Sequence, residues 1–344
     1  MKRSFFDALE GVDGHLPHWY TEARTAAWKE YEGTPWPQRN HEAWRFADLK
    51  KLAFDDVVDA AEVGEAEGAD LITRSVALEE NAGRIIFAND RLIADPLLDA
   101  EFAQKGVIFK PLSQALVEDT DLVRLSFMQQ PARLGSAKFA ALHRARLRDG
   151  IFLYIPKDVS LSRPVEVFHW LSGENAAIFP HSLIVSGPGS TAAIAEYIAS
   201  AGQQPGFCGG VTDLVAGENS SLTHVRTQNL SEQAHSLHVS SSLAAAGANI
   251  RAFVLNLGCK WSRSEFTARL SGEGAGTDML AVCIPENSQE MDMRTLQLHE
   301  KAHTTSNLLY KNALYDEVRT IFAGLIMVEE GAQHTDAYRN QCHG

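Results

Sequence analysis

Long apolar runs are missing from this chain. Nowhere do about 18 apolar residues follow one another, so the sequence offers no membrane-spanning helix. Positive charge is scarce too: 31 Lys and Arg stand against 44 Asp and Glu, a net charge of −13. A surface of that sign repels phosphate, which removes nucleic acid from the expected partners. Cysteine is rare. Cys208, Cys259, Cys283 and Cys342 lie 24 to 59 residues apart with no C-x-x-C pair, neither a disulfide framework nor a zinc-ribbon spacing. They read as free thiols of a reducing cytoplasm. The first residues, MKRSFFDALEGVDG, contain two basic side chains but no apolar stretch of the kind that directs secretion. No G-x-x-x-x-G-K-[ST] phosphate loop and no G-x-S-x-G nucleophile elbow occurs.

What is present divides into two textures. A chain of 344 residues is long enough for one large domain or two moderate ones. In HWYTEARTAAWKEYEG, Trp19, Ala23, Ala26, Ala27 and Glu30 keep helical spacing until Gly33 and Pro35 stop the run. NHEAWRFADLKKLAF is expected to resume the helix, and the small acidic stretch 58–70 is expected to be an exposed loop. GRIIFANDRL predicts a strand and a turn. LSQALVED and SAKFAALHRARL predict helices, the second ending at Asp149-Gly150. After Gly150 short strand-like segments take over, from IFLYI and VEVFHW to DMRTLQLH, with centres about 12 to 16 residues apart. Ser264, Phe266, Ala268 and Leu270 alternate with Glu265, Thr267 and Arg269. The connections are too short for crossover helices. An antiparallel sandwich and a stacked solenoid both suit such spacing.

Three patterns hint at chemistry. His299-Glu300-Lys301-Ala302-His303 matches H-E-x-x-H, in which a helix brings two imidazoles to one zinc ion and the Glu acts as general base. That zinc metallopeptidase reading would take Glu317 or Glu329 as third ligand. It requires a helix, yet DMRTLQL before it and TTSN after it are not helical in pattern, and on a strand the two rings would sit about 13 Å apart. Gly187, Gly189 and Ala192 form G-x-G-x-x-A with Asp213 further on, which imitates a dinucleotide fingerprint; a tight turn between strands is the competing reading. His224, His235, His238, His299, His303 and His334 crowd the second half, as single histidines on mixed strands.

Residues 149–170, DGIFLYIPKDVSLSRPVEVFHW, and residues 292–340 resemble the SufB/SufD family of iron–sulfur cluster assembly scaffolds. The second block holds His299, Ser306, Tyr310-Lys311, Phe322-Ala323-Gly324 and Thr335-Asp336 in the family's order. HEAWRFADLKKL, residues 41–52, is similar to the SufD branch. The resemblance implies a mainly β protein: a right-handed parallel β-helix over 149–344 behind a mostly helical α+β domain over 1–148. It implies a cytoplasmic scaffold without enzyme activity, partnered by a SufB homologue and the ATPase SufC, with a homodimer as a further arrangement. No intrinsic cofactor is expected; iron or a cluster would be a transient guest at the SufB–SufD interface. His299, Lys311 and Asp336 are expected to shape turns and coil stacking. The family continues past the position of Asn340 into a Cys-Ser-His-Gly segment and a helical region that docks the ATPase. This chain stops at Gln341-Cys342-His343-Gly344, which reads as a truncated end that compromises SufC docking. Cys342 and His343 are the candidate metal ligands there.

Overall fold

A computed structural model describes residues 15–51 and 56–343, with the backbone alone at Lys51 and 341–343. The α-helices all precede Leu147: α1 (His18–Gly33), α2 (Glu65–Arg74), α3 (Ala100–Gln104), α4 (Leu112–Glu118), α5 (Thr120–Ser126) and α6 (Ala137–Arg146). Five short strands lie among them, β1 (Val58–Asp59), β2 (Gly83–Ala88), β3 (Arg91–Leu92), β4 (Leu97–Leu98) and β5 (Ile108–Pro111). The rest is β: β6 (Ile151–Ile155), β7 (Val165–Leu171), β8 (Ala176–Ile178), β9 (His181–Ser186), β10 (Thr191–Ser200), β11 (Gly206–Ala216), β12 (Ser221–Asn229) and β13 (His235–Ala244). There follow β14 (Asn249–Asn256), β15 (Trp261–Leu270), β16 (Gly276–Cys283), β17 (Glu290–His299), β18 (Thr305–Asn312), β19 (Arg319–Val328) and β20 (Asp336–His343).

From β9 onward the chain alternates between two sheets. One, the odd-numbered sheet from β9 onward, runs β19-β17-β15-β13-β11-β9-β6-β5; the other, even-numbered from β10 onward but also holding β7, runs β20-β18-β16-β14-β12-β10-β7-β2-β3. Every pair from β6 to β20 is parallel. The short connections suffice because the crossover of each parallel pair is a strand of the opposite sheet, not a helix. The result is a β-solenoid of about seven turns, one of the two architectures the spacing allowed.

Alternation along each strand sends one set of side chains between the sheets. Val167, Ile194, Leu222, Ile250, Met279 and Leu308 are buried there in one apolar core. The outward sets differ. The odd-numbered sheet is covered by α1, α6 and the loops beside them: Trp28, Tyr31, Trp44, Phe139 and Leu142 pack on Phe179, Phe207, Leu237 and Trp261. Among the described residues, the even-numbered sheet is covered only at its start, where Leu71 of α2 meets Phe168 and Trp170. Beyond that, Val225, Phe253, Leu255, Leu280 and Leu309 are half-buried. Residues before 149 also extend both sheets, through β5 on β6 and β2 on β7.

One corner of the solenoid repeats a backbone device. Asp158, Gly189, Asn219, Gly247, Gly274, His303 and His334 all have φ between 56° and 69°, or 55° at Asn219, and follow one another at 27 to 31 residues. Each amide of the first six donates to the next coil, as Asn219 N to Ala246 O at 2.8 Å and Gly247 N to Glu273 O at 2.9 Å. A side chain at Gly247 would sit 2.3 Å from Asn219 Oδ1, so stacking as well as φ favours glycine there.

Three expectations need correction. NHEAWRFADLKKLAF does not resume α1. It makes two 3₁₀ turns, Glu42–Trp44 and Leu49–Lys51, and residues 52–55 lie outside the described residues. Tertiary bonds replace the helical ones: Asp48 N donates to Glu290 Oε1 at 2.9 Å and Arg319 Nη2 to Phe46 O at 2.6 Å. Residues 58–70 are not all loop, since α2 begins at Glu65. Acidic Glu65 and Glu67 suit a helix N-terminus, and Leu71, just past the stretch read as a loop, supplies the buried contact. The helix SAKFAALHRARL stops at Arg146, short of Asp149-Gly150.

Candidate functional site

The H-E-x-x-H pattern straddles the end of β17 and the left-handed corner. His299 is the last residue of the strand and fully buried; its Nδ1 lies 2.8 Å from Thr304 Oγ1 and its Nε2 2.9 Å from Ser306 Oγ. Both ring nitrogens are thus engaged, and burial lowers the imidazole's pKa. His303 sits on the outside at the corner, its ring stacked 5.1 Å from that of His334. The helix that a zinc peptidase needs is not there, so the metallopeptidase reading is corrected on geometry. The surrounding block is a stacking device. Ser306 Oγ donates to Gln297 Oε1 at 2.5 Å, Thr304 and Thr335 hydroxyls meet at 3.2 Å, and Tyr310 packs edge-on against Phe322 at 5.3 Å. Lys311 is exposed and Asp336 opens β20 opposite Thr305. The G-x-G-x-x-A pattern is likewise a turn: Ser190 N bonds back to Gly187 O at 3.2 Å and TAAIAEYIAS is strand β10.

Cys342 and His343 close β20, in register with Lys311 and Asn312 of β18; their side chains lie outside the described residues. The other three cysteines are buried. Burial pushes the Cys259 thiol up to about 12 and that of Cys283 up to about 11, and raises Cys208 well above its ordinary value. None is poised as a thiolate nucleophile or ligand. Among the described residues, no group of three or more His, Cys, Asp and Glu side chains is placed to hold one metal ion.

The concentration of interior polar groups lies elsewhere, in a band across the early coils. The even-numbered sheet supplies His169, Glu196, His224 and Arg226; the odd-numbered sheet faces them with Ser182, Thr212, His238 and Ser264. Glu196 is the hub. Ser182 Oγ donates to its Oε1 at 2.6 Å, His224 Nε2 lies 2.9 Å from its Oε2, and His169 Nε2 lies 3.5 Å from Oε1. Burial alone would raise this carboxyl, but the two histidines override it and hold it well below the usual range. Thr212 Oγ1 and His238 Nε2 meet at 2.9 Å, while burial keeps His238 far down. Glu196 is met on both oxygens and the band is buried, so it fixes coil register and offers no open acid–base site. His224 and His238 are two of the crowded histidines; Glu196, His169 and Arg226 escaped notice. Their signal was available: a charged residue at an inward position, between Ile194 and Ile198 in β10 and between His224 and Gln228 in β12.

A second polar seam joins the solenoid to its helical cover. Arg263 is buried and gives Nη1 to Asp292 at 2.5 Å, Nε to Glu265 at 2.7 Å and Nη2 to Leu134 O at 2.8 Å. Its guanidinium lies 3.9 Å above the Trp44 ring, which itself stacks on Trp261. Glu265 accepts from Ser136 Oγ at 2.6 Å, and Asp292 also holds Arg294 at 2.6 Å. The HEAWRFADLKKL segment therefore acts as a clasp on the solenoid's covered face. Further along, His143 Nε2 contacts His181 Nδ1 at 3.0 Å, and His181 Nε2 lies 3.6 Å from Asp213 Oδ2.

No helix among the described residues is long and apolar enough to cross a membrane. Two family models cover the chain in tandem. The SufBD protein N-terminal region matches residues 4–167, and the SUF system FeS cluster assembly, SufBD core domain, matches residues 169–342. The iron-sulfur cluster assembly protein SufD of Bacillus subtilis is 27% identical over 328 residues, covering 93% of this chain and 74% of that protein. An iron-sulfur cluster assembly SufBD family protein of Staphylococcus epidermidis is 24% identical over 335 residues, covering 90% of this chain and 68% of the relative. With a parallel solenoid under the core match and a helical cover under the N-terminal one, the chain belongs to the SufBD family of SUF-system iron–sulfur cluster assembly proteins.

Proposed function

We propose that this chain is a SufD-type scaffold subunit with no catalytic activity of its own. It works in the cytoplasm by holding a SufB homologue and, within the same complex, the ATPase SufC. Iron or a nascent cluster is then cargo of the assembled complex. The observation that carries this reading is the tandem family match over one continuous solenoid, with the SufD of Bacillus subtilis aligned along 93% of the chain. The state of its reactive groups agrees: three buried high-pKa thiols, a His299 with both nitrogens bonded, and a polar band buried between the sheets.

Co-purification with SufB and SufC homologues at low and moderate salt tests it. A version extended by the C-terminal region of the longer relatives is run beside it. Retention of the SufB homologue by the 344-residue chain is the expected result. If neither version retains a SufB homologue, the scaffold reading fails.

A further inference from the structure

Arg226 is 2% exposed and points between the two sheets. Its Nη2 donates to Ser264 Oγ at 2.9 Å, and that is its one protein hydrogen bond among the described residues; Nε and Nη1 are buried without a protein partner. It makes no ion pair among the described residues, whereas buried Arg263, Arg294 and Arg146 each hold a carboxylate. A candidate counter-charge, Glu196, is its register neighbour on β10, but that carboxylate accepts from Ser182 and contacts His224 and His169 instead. A guanidinium cannot shed its proton to escape burial. A charged group left without partners inside a protein is costly, so something must meet those donors.

Arg226 lines a small cavity together with Ser240, Ser264, Asn256, Tyr310 and Met293. It has room for about one water-sized particle. Its polar lining is a cation plus four groups that can each turn an N–H or O–H inward, and no carboxylate lines it. Met293 provides a flexible wall that can adjust to a slightly larger guest. We propose that this cavity is a binding site for one small monovalent anion of halide size, held by Arg226 Nε and Nη1 inside the solenoid. The site is independent of the assembly role.

Bromide is the probe. In crystals of the full chain grown in sodium bromide, anomalous scattering should give a single buried peak at hydrogen-bonding distance from Arg226 Nε and Nη1. A water-like peak without anomalous signal there, in crystals whose surface carries ordered bromide, overturns the proposal. In solution, exchanging gluconate for bromide at constant ionic strength should raise the melting temperature of the full chain by about 2–4 °C relative to Arg226→Met. An equal response from a folded Arg226→Met chain also overturns it. Should that variant fail to fold, the crystal of the unaltered chain decides.

Discussion

The two sheets share strand length, parallel register and inward alternation, yet their outer faces have opposite characters. Along β17 of the covered sheet all ten residues are buried, including Glu290, Asp292 and Arg294 on the outward side. Along β16 and β18 of the open sheet buried and more exposed residues largely alternate, and in β14 residues 253–255 are all part-exposed. Charge follows cover. On the covered face, Arg263, Glu265, Asp292 and Arg294 form a dry network that the segment 134–136 and Trp44 complete. On the open face, Arg251 and Asp278 make a pair of similar geometry, 3.0 Å, with the arginine in solvent. The same strand chemistry is thus a fixed interface on one side and a wet surface on the other. What decides is whether residues 15–149 lie over it.

The largest effect expected from breaking this contrast is at Arg263. Arg263→Met leaves buried Glu265 without a cation and Asp292 with Arg294 alone, and urea unfolding should show a loss of about 3–5 kcal/mol. Removing the clasp with Trp44→Ala should cost about 3 kcal/mol, since a large ring leaves the seam between Trp261, Phe139 and Arg263.

Acid sharpens the comparison further, because the buried titrating pair under the helices has no counterpart on the open outer face. Burial lowers the His143 pKa to about 4 and holds His181 well below its ordinary value, with His143 adding to the effect. Both rings bind protons in the unfolded chain near pH 6.5 but not in the folded one. Their contribution is complete above that pH and is lost as pH falls toward 4. Asp213 works in reverse: burial raises it to about 6, so its contribution is present below its unfolded value and fades as pH rises through 6. Asp213→Asn should therefore steepen the fall in stability between pH 6 and 5 by up to about 1.4 kcal/mol per pH unit. Melting temperatures across that range, with and without the substitution, measure it; an unchanged slope would show that Asp213 does not titrate as placed.

On the open face the same classes of change should be mild. Phe253→Ala should cost about 1 kcal/mol, because the ring is only half-buried. Arg251→Met should cost about 0–1 kcal/mol. A loss at Arg251 equal to that at Arg263 would abolish the distinction between the faces.

Much of this was legible beforehand. Period-two alternation in β15 and the turn residues between segments gave the strands, and the block from His299 to Asp336 pointed to the family and so to the solenoid. The H-E-x-x-H and G-x-G-x-x-A patterns could be discounted because each needs a helix that its neighbours do not encode. What stayed hidden depends on the third dimension. Trp44 belongs to a segment whose hydrogen bonds go to Glu290 and Arg319, more than 240 positions away, so local spacing suggested a helix instead. Glu196 and Arg226 looked like ordinary polar members of mixed strands. The alternation marks both positions as inward, but what each side chain meets across the two sheets is visible only in the fold.

The left-handed corner has one more consequence, for how such a protein can change over generations. Because equivalent residues recur at 27 to 31 positions and each hands its amide to the coil above, the chain is punctuated into interchangeable segments. A deletion or duplication running from one such corner to the next would rejoin like with like and leave every inward side chain facing inward. One of a single residue within a strand would turn its whole inner set outward. The ladder therefore makes whole coils, not single residues, the unit in which the length of this solenoid can be edited.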